Sequence, residues 1–269
     1  MKFSRQQILR EMGISPYWVL REPSGALRTE KGTGCAEEAV FSEVEASSPV
    51  HGSCSSSFLP ANAPASETTT KSHDSRAKEI SEMSWDQLRQ SIAVCRTCGL
   101  CNHRKQAVPG VGDKDAAWMF IGEGPGAEED KRGEPFVGQA GKLLDAMLAA
   151  IDLKRGEDVY IANAVKCRPL GNRTPEVGEL AACQPYLRRQ IELVSPKLIV
   201  LLGRIAVSSA LGHEGALSGL RGQRLRYVES AVDIPVVVTY HPAYLLRNLS
   251  DKAMAWEDLC RARELMRTF

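Results

Sequence analysis

The chain has 269 residues, 43% of them hydrophobic and 25% charged, with a formal net charge of +1 at pH 7. That balance excludes a membrane-embedded or wholly disordered protein, since no apolar run approaches the ~20 residues a bilayer span needs. Charge so near zero advertises no nucleic-acid partner by itself, and the split of −2 over residues 1–84 against +3 over the remainder is only a weak hint of a basic face.

The first residues lack the continuous apolar stretch of a secretory signal, so the cytoplasm is the expected compartment. Eight cysteines in such a chain point to metal or cluster ligation plus free thiols instead of a disulfide framework.

Residues 1–22 read as a short helical and apolar anchor: Ser4-x-x-Gln7 has capping-box spacing, and Ile8, Leu9 and Met12 share one face. Such a segment either docks on its own domain or recruits a protein partner. Residues 23–80 have the Ser, Ala, Thr, Pro and Gly composition of a disordered linker, with Cys35 and Cys54 as exposed thiols inside it. A compact domain is expected over 81–269. It opens with Ser84-x-x-Gln87 and the helical spacing Trp85, Leu88, Ile92, which leads into CRTCGLC at 95–101.

Next come four short, β-branched apolar runs, WMFIGEG (118–124), VYIANAV (159–165), KLIVLLG (197–203) and VVVTYH (236–241). Helical segments alternate with them. LLDAMLAAI (143–151) is one, Thr174-Pro175-Glu176 reads as the start of a second, Gly203–Leu211 supplies a third, and Cys260 falls in the core of a C-terminal helix. The alternation predicts an α/β fold, a three-layer αβα sandwich around a mainly parallel four-stranded sheet. Ligands of such folds bind where the strands end.

Three polar or glycine-rich segments fall at those ends: GEGPGAEED (122–130), NAVKCRP (163–169) and HPAYLLRN (241–248). GEGPG lacks the Gly-Lys-Ser/Thr of a P-loop, but its glycines let a flat ligand approach the backbone. C-x-x-C with distant cysteines serves zinc and iron–sulfur clusters equally well, so the residues alone leave both open.

Taken in order with PFVGQAG (135–141) and PKLIVLLG (196–203), these segments resemble the motif series of family 4 uracil-DNA glycosylases, from about Cys95 to the end of the chain. The resemblance implies a monofunctional glycosylase of base-excision repair that flips deoxyuridine out of single- or double-stranded DNA and hydrolyses its N-glycosidic bond. It also implies a [4Fe–4S] cluster held by Cys95, Cys98, Cys167 and Cys183, with Cys101 a bystander. By the same resemblance Phe136 stacks on uracil, Asn163 bonds its pairing edge and His241 its O2, with Gly124 and its turn adding backbone donors. Glu123 and Asn172 match a hydrogen-bonded doublet, and Glu129 is a second acidic group near the water.

Leu245, Leu246 and Arg247 would fill the gap left by the flipped base, while Lys166 and Arg168 would meet phosphates. The protein is expected to act as a monomer, away from membranes. The alternative is a weakly catalytic nucleic-acid-binding factor on the same fold, associated with a polymerase.

Overall fold

The computed structural model describes residues 68–229 and 232–269. The expected anchor (1–22) and most of the expected linker therefore lie outside the described residues. In chain order the elements are α1 (Thr68–Ser81), α2 (Trp85–Val94), β1 (Val111–Gly112), β2 (Trp118–Gly122), α3 (Ala127–Arg132), α4 (Gln139–Ala149), β3 (Val159–Asn163), α5 (Val177–Val194), β4 (Leu198–Leu202), α6 (Arg204–Leu211), α7 (Leu217–Leu220), β5 (Leu225–Glu229), β6 (Val232–Thr239), α8 (Pro242–Leu245) and α9 (Lys252–Met266). None of the described helices is long and apolar enough to cross a membrane.

β2, β3 and β4 are buried at every position, which is why their sequences run apolar without alternation. Successive side chains still take opposite faces. Trp118, Phe120, Ile161, Leu198 and Val200 pack on one side with Leu144, Met147 and Leu148 of α4 and Leu259 of α9. Met119, Ile121, Tyr160, Ile199 and Leu201 pack on the other with Leu187 and Ile191 of α5 and Val207 of α6. Each fully buried aliphatic side chain contributes roughly 1.5–3 kcal/mol of transfer free energy, so these two layers carry much of the stability.

The sheet order is β1-β3-β2-β4-β6-β5. The four expected strands form its parallel centre, β3-β2-β4-β6. Two antiparallel edge strands flank them. β1 has only two residues, too short for a periodic signal, and β5 exposes alternate residues at the rim.

Three expectations need correction. The linker does not extend to residue 80, because Thr68–Ser81 is helical and Ile80, 2% exposed, packs with Leu88, Ile92, Cys167 and Cys183. The second helix starts at Val177, with Glu176 as its cap, because the Glu179 carboxylate folds back to accept from the Glu176 N–H at 2.8 Å. Cys260 is only half-buried, since α9 turns Ala255, Asp258, Leu259 and Ala262 inward instead.

Register aligns the strand ends. Gly122 pairs with Asn163, and Leu202 pairs with Thr239. The turns that follow, carrying Glu123, Lys166, Gly203 and His241, therefore emerge along one edge of the sheet.

Candidate active site

A cleft of about 750 Å³ opens at this edge, bordered by Glu123, Gly124, Phe136, Asn163, Asn172 and His241 among others. Asn163 ends β3 and is 2% exposed. Its Oδ1 is buried without a hydrogen-bond partner. Leaving a buried carbonyl oxygen unpaired costs roughly 1–3 kcal/mol, a cost that a ligand N–H would remove.

His241 follows β6 and caps α8. Its Nδ1 accepts from the Ala243 N–H at 3.1 Å. A neutral imidazole accepting at Nδ1 carries its proton on Nε2, so the second nitrogen is a donor. Burial lowers its pKa to about 4, with Arg247 lowering it further and Glu129 opposing, so the ring is neutral at pH 7. Gly124 also lines the cleft, and its missing side chain lets the turn pack on the loop after β3, since a Cβ there would meet Val165 Cγ2 at 2.7 Å.

The Phe136 ring lies 5.4 Å from the His241 ring, inclined by 30°. Its backbone is held at φ 55°, a left-handed conformation uncommon for a bulky residue. Two clamps hold it there. Arg155 donates to the carbonyls of Pro135 and Phe136 at 2.8 and 2.7 Å, and Glu129 accepts from the N–H groups of Val137 and Gly138, both at 2.9 Å. Gly122 makes room beneath, because a Cβ there would strike both the Phe136 ring and Asn163 Oδ1.

Glu129 also accepts from the Gly126 N–H at 3.1 Å. Its carboxylate is thus committed to three backbone donors and fastens the glycine turn to the Phe136 loop, which makes it a positioning residue. Glu123 differs: its backbone carbonyl accepts from the Val165 N–H at 3.1 Å, but among the described residues its carboxylate has no hydrogen-bond partner. Burial raises its pKa, with Arg204 pulling the other way. The expected Glu123–Asn172 doublet is not formed. Asn172, at φ 56°, instead accepts from Arg168 Nε at 2.7 Å.

The expected DNA contacts divide. Leu246 is 42% exposed, and Arg247 borders the cleft. Leu245 is fully buried against the α4 and α9 layer and cannot reach DNA. Lys166, 1% exposed, is no phosphate contact either: its Nζ donates to the Asn163 carbonyl and to Gln190 Oε1, both at 2.6 Å. Arg168 remains partly exposed.

Sequence reasoning missed Gly122, Arg155, Arg204 and the stacked pair Tyr240 and Tyr244, whose ring centroids are 5.0 Å apart. It also passed over Leu170, 65% exposed at the tip of a turn pinned by Arg168 and flanked by the cleft residues Pro169 and Asn172. The run of glycines from 122 to 126 was a signal for the first of these. Arg155 and Arg204 left none, being ordinary surface cations until folding placed them.

A family model described as the uracil DNA glycosylase superfamily matches residues 109–260. A protein of Sulfurisphaera tokodaii named type-4 uracil-DNA glycosylase is 42% identical over 186 residues, which cover 68% of this chain and 84% of its own. The chain belongs to this superfamily, in its type-4 branch. A type-4 relative from Thermotoga maritima is 42% identical over 181 residues, 66% of this chain and 92% of its own. A type-5 uracil-DNA glycosylase of Pyrobaculum aerophilum also aligns, 32% identical over 173 residues, 58% of this chain and 74% of its own.

In this type-4 chain the cysteines converge on the far side of the Asn163 loop. Cys95, Cys98, Cys101, Cys167 and Cys183 border one small void between α2, the loop after β3 and α5. All six cysteines of the described residues are unpaired. Among those residues no group of three His, Cys, Asp or Glu side chains is drawn tightly enough to chelate a single ion. The thiols line the void from three separate segments of the chain.

The surroundings are cationic. Arg104 Nη1 donates to Cys167 Sγ at 2.8 Å, Arg76 Nη2 lies 3.9 Å from Cys95 Sγ, and the Lys166 backbone N–H points at Cys183 Sγ at 3.3 Å. Burial drives the Cys183 thiol up to about 12, so it would ionise there only with a positive partner. Thiol donors facing cations fit a soft-metal group of net negative charge.

Proposed function

We propose that the cleft excises uracil from DNA by hydrolysing its N-glycosidic bond, the first chemical step of base-excision repair. The type-4 relatives carry the activity in their names, and the unpartnered Oδ1 of Asn163 is the observation in this chain that carries the reading. Uracil presents N3–H beside O4. Asn163 answers with Oδ1 as acceptor and Nδ2–H as donor, whereas cytosine presents the opposite pattern and would leave both groups mismatched.

Cleavage leaves negative charge on the departing pyrimidine, shared by O2. His241 Nε2–H and the Gly124 N–H donate to that oxygen, and one such preorganised donor is worth roughly 3 kcal/mol in the transition state. Neutral histidine suffices for this, since the base departs as an anion and is held, not protonated. Phe136 supplies the flat face for the ring, and its clamped backbone spares the cost of ordering it after the nucleotide flips.

Glu123 is the carboxylate free to hold the attacking water. Glu129 is excluded from that task by its three backbone partners. The rim supplies Leu246 and Leu170 as apolar contacts to DNA, with Arg247 and Arg168 facing phosphates.

The void takes a [4Fe–4S] cluster on Cys95, Cys98, Cys167 and Cys183, a reading supported by the convergence of these four thiols on it and by the likeness to type-4 uracil-DNA glycosylases. When bound, the cluster supplies thiolate cross-links that join α2 to the loop after β3 and to α5. A cytoplasmic setting accords with the unpaired cysteines of the described residues.

The experiment is release of free uracil from U-containing single- and double-stranded oligonucleotides by brown, iron-loaded protein. Colourless protein that binds DNA without releasing uracil would sink the reading and leave the binding-factor alternative.

A further inference from the structure

Among the described residues, the most deeply buried cation belongs to neither the cleft surface nor the ring of cysteines, yet it touches both. Lys166 is 1% exposed, and its Nζ donates to the Asn163 carbonyl and to Gln190 Oε1, both at 2.6 Å. Gln190 is itself anchored, its Nε2 donating to the Pro109 carbonyl at 2.6 Å and to Tyr160 Oη at 3.3 Å. The lysine backbone is fixed at both ends of its peptide units: its N–H points at Cys183 Sγ at 3.3 Å, and its carbonyl accepts from the Val108 N–H at 2.8 Å.

A buried ammonium normally needs a carboxylate partner. Lys166 forms no ion pair with one; both of its Nζ acceptors are neutral oxygens. On the other side its backbone N–H meets Cys183 Sγ, and Cys167 of the same void follows it in the chain. Lys166 therefore faces two ways: its backbone N–H meets a thiol of the void, and its ammonium donates to the carbonyl of the base-reading asparagine.

We infer that Lys166 is a positioning residue that ties the thiol pocket to the orientation of Asn163. Asn163 is the last residue of β3, and the peptide that follows it is held on both sides: the Ala164 N–H donates to the Gly122 carbonyl at 2.9 Å, while the Asn163 carbonyl accepts from Lys166 Nζ at 2.6 Å. Fixing that peptide fixes the Cα–Cβ direction, and hence where Oδ1 meets N3–H. A shift of about 1 Å at such a point costs about 100-fold in rate. This rests on the uracil reading above, and it gives the pocket a share in base recognition beyond holding helices together.

The test is a double-mutant cycle on the iron-loaded protein, with iron content, absorbance of the cluster and melting temperature recorded beside kinetics. Lys166→Met should lower kcat on uracil DNA by about tenfold or more, with KM within about threefold and iron content unchanged, and Lys166→Gln, which keeps an N–H donor, should recover part of it. In an Asn163→Ala background Lys166→Met should cost nothing further, whereas in a His241→Ala background it should cost its full factor. Full additivity with Asn163→Ala would overturn the inference.

Should Lys166→Met fail to fold, Gln190→Met, which frees the second anchor, must show the same dependence on Asn163, and its absence would overturn the inference equally. Wild-type protein that released no uracil in this assay would instead sink the functional reading itself.

Discussion

Two polar side chains at the strand ends have their hydrogen-bonding states set before any substrate arrives. For His241, removal by His241→Ala should lower kcat roughly 10²–10³-fold while iron content stays the same. Its folded pKa of about 4 lies below the ordinary histidine value near 6.5, so its neutral state stabilises the fold fully above pH 6.5. That contribution is lost as pH falls from about 6.5 through 4. A rate profile should accordingly show no inflection of His241 near 6.5, and one appearing there and vanishing in His241→Ala would contradict the buried neutral ring. Glu123 moves the opposite way, its carboxyl raised by burial, so Glu123→Gln should slow excision by about 10²-fold or more and remove an acidic inflection from the profile. Motif position was enough to place both of these residues at the cleft. It misled for Lys166 and Glu129, because their roles depend on acceptors and donors contributed by Gln190, 24 residues on, and by the Phe136 loop.

At the level of elements, the neighbouring leucines of HPAYLLRN separate packing from contact. Leu245→Ala should cost about 2–5 kcal/mol in denaturant unfolding, because the side chain is fully buried under α4 and α9. Leu246→Ala and Leu170→Ala should leave stability within about 0.5 kcal/mol and weaken action on duplex DNA more than on single strands, measured as kcat/KM on matched oligonucleotides. Equal losses on both substrates would remove these leucines from the role of wedges. Gly122→Ala should act on both scales at once, pushing the Phe136 ring away from Asn163 and abolishing most excision. The parallel core of the sheet was legible because each strand is an apolar run between glycine or polar turns. The edge strands were not: β1 is a two-residue pairing with β3 that exists only once β3 is in place.

For the whole molecule, the cysteine void joins segments far apart in sequence. Cys95 and Cys98 follow α2, while Cys167 and Cys183 come from the loop after β3 and from α5. Cys167→Ala should therefore yield colourless protein with a lower melting point, each 1 kcal/mol lost shifting it by roughly 2–4 °C in a domain of this size. Cys101→Ala should keep the colour; bleaching by that substitution would show that the fifth thiol of the void is a ligand. Sequence spacing alone could not rank five cysteines that converge only after folding.

The N-terminal limit of the domain was hidden for a related reason. TTTKSHDSRAKEIS is polar enough to pass for linker, and Ile80 and Arg76 betray its contacts. Arg76 donates to the Ala182 carbonyl at 2.9 Å and lies 4.9 Å from the centre of the Tyr186 ring, directly beside Cys95. α1 thus roofs the thiols. Its position has a practical meaning for handling the protein in air: a proteolytic nick before residue 68 leaves the roof in place, whereas a cut after Ser81 opens the sulfurs to oxygen, and brown protein trimmed there should fade within a purification that the longer form survives.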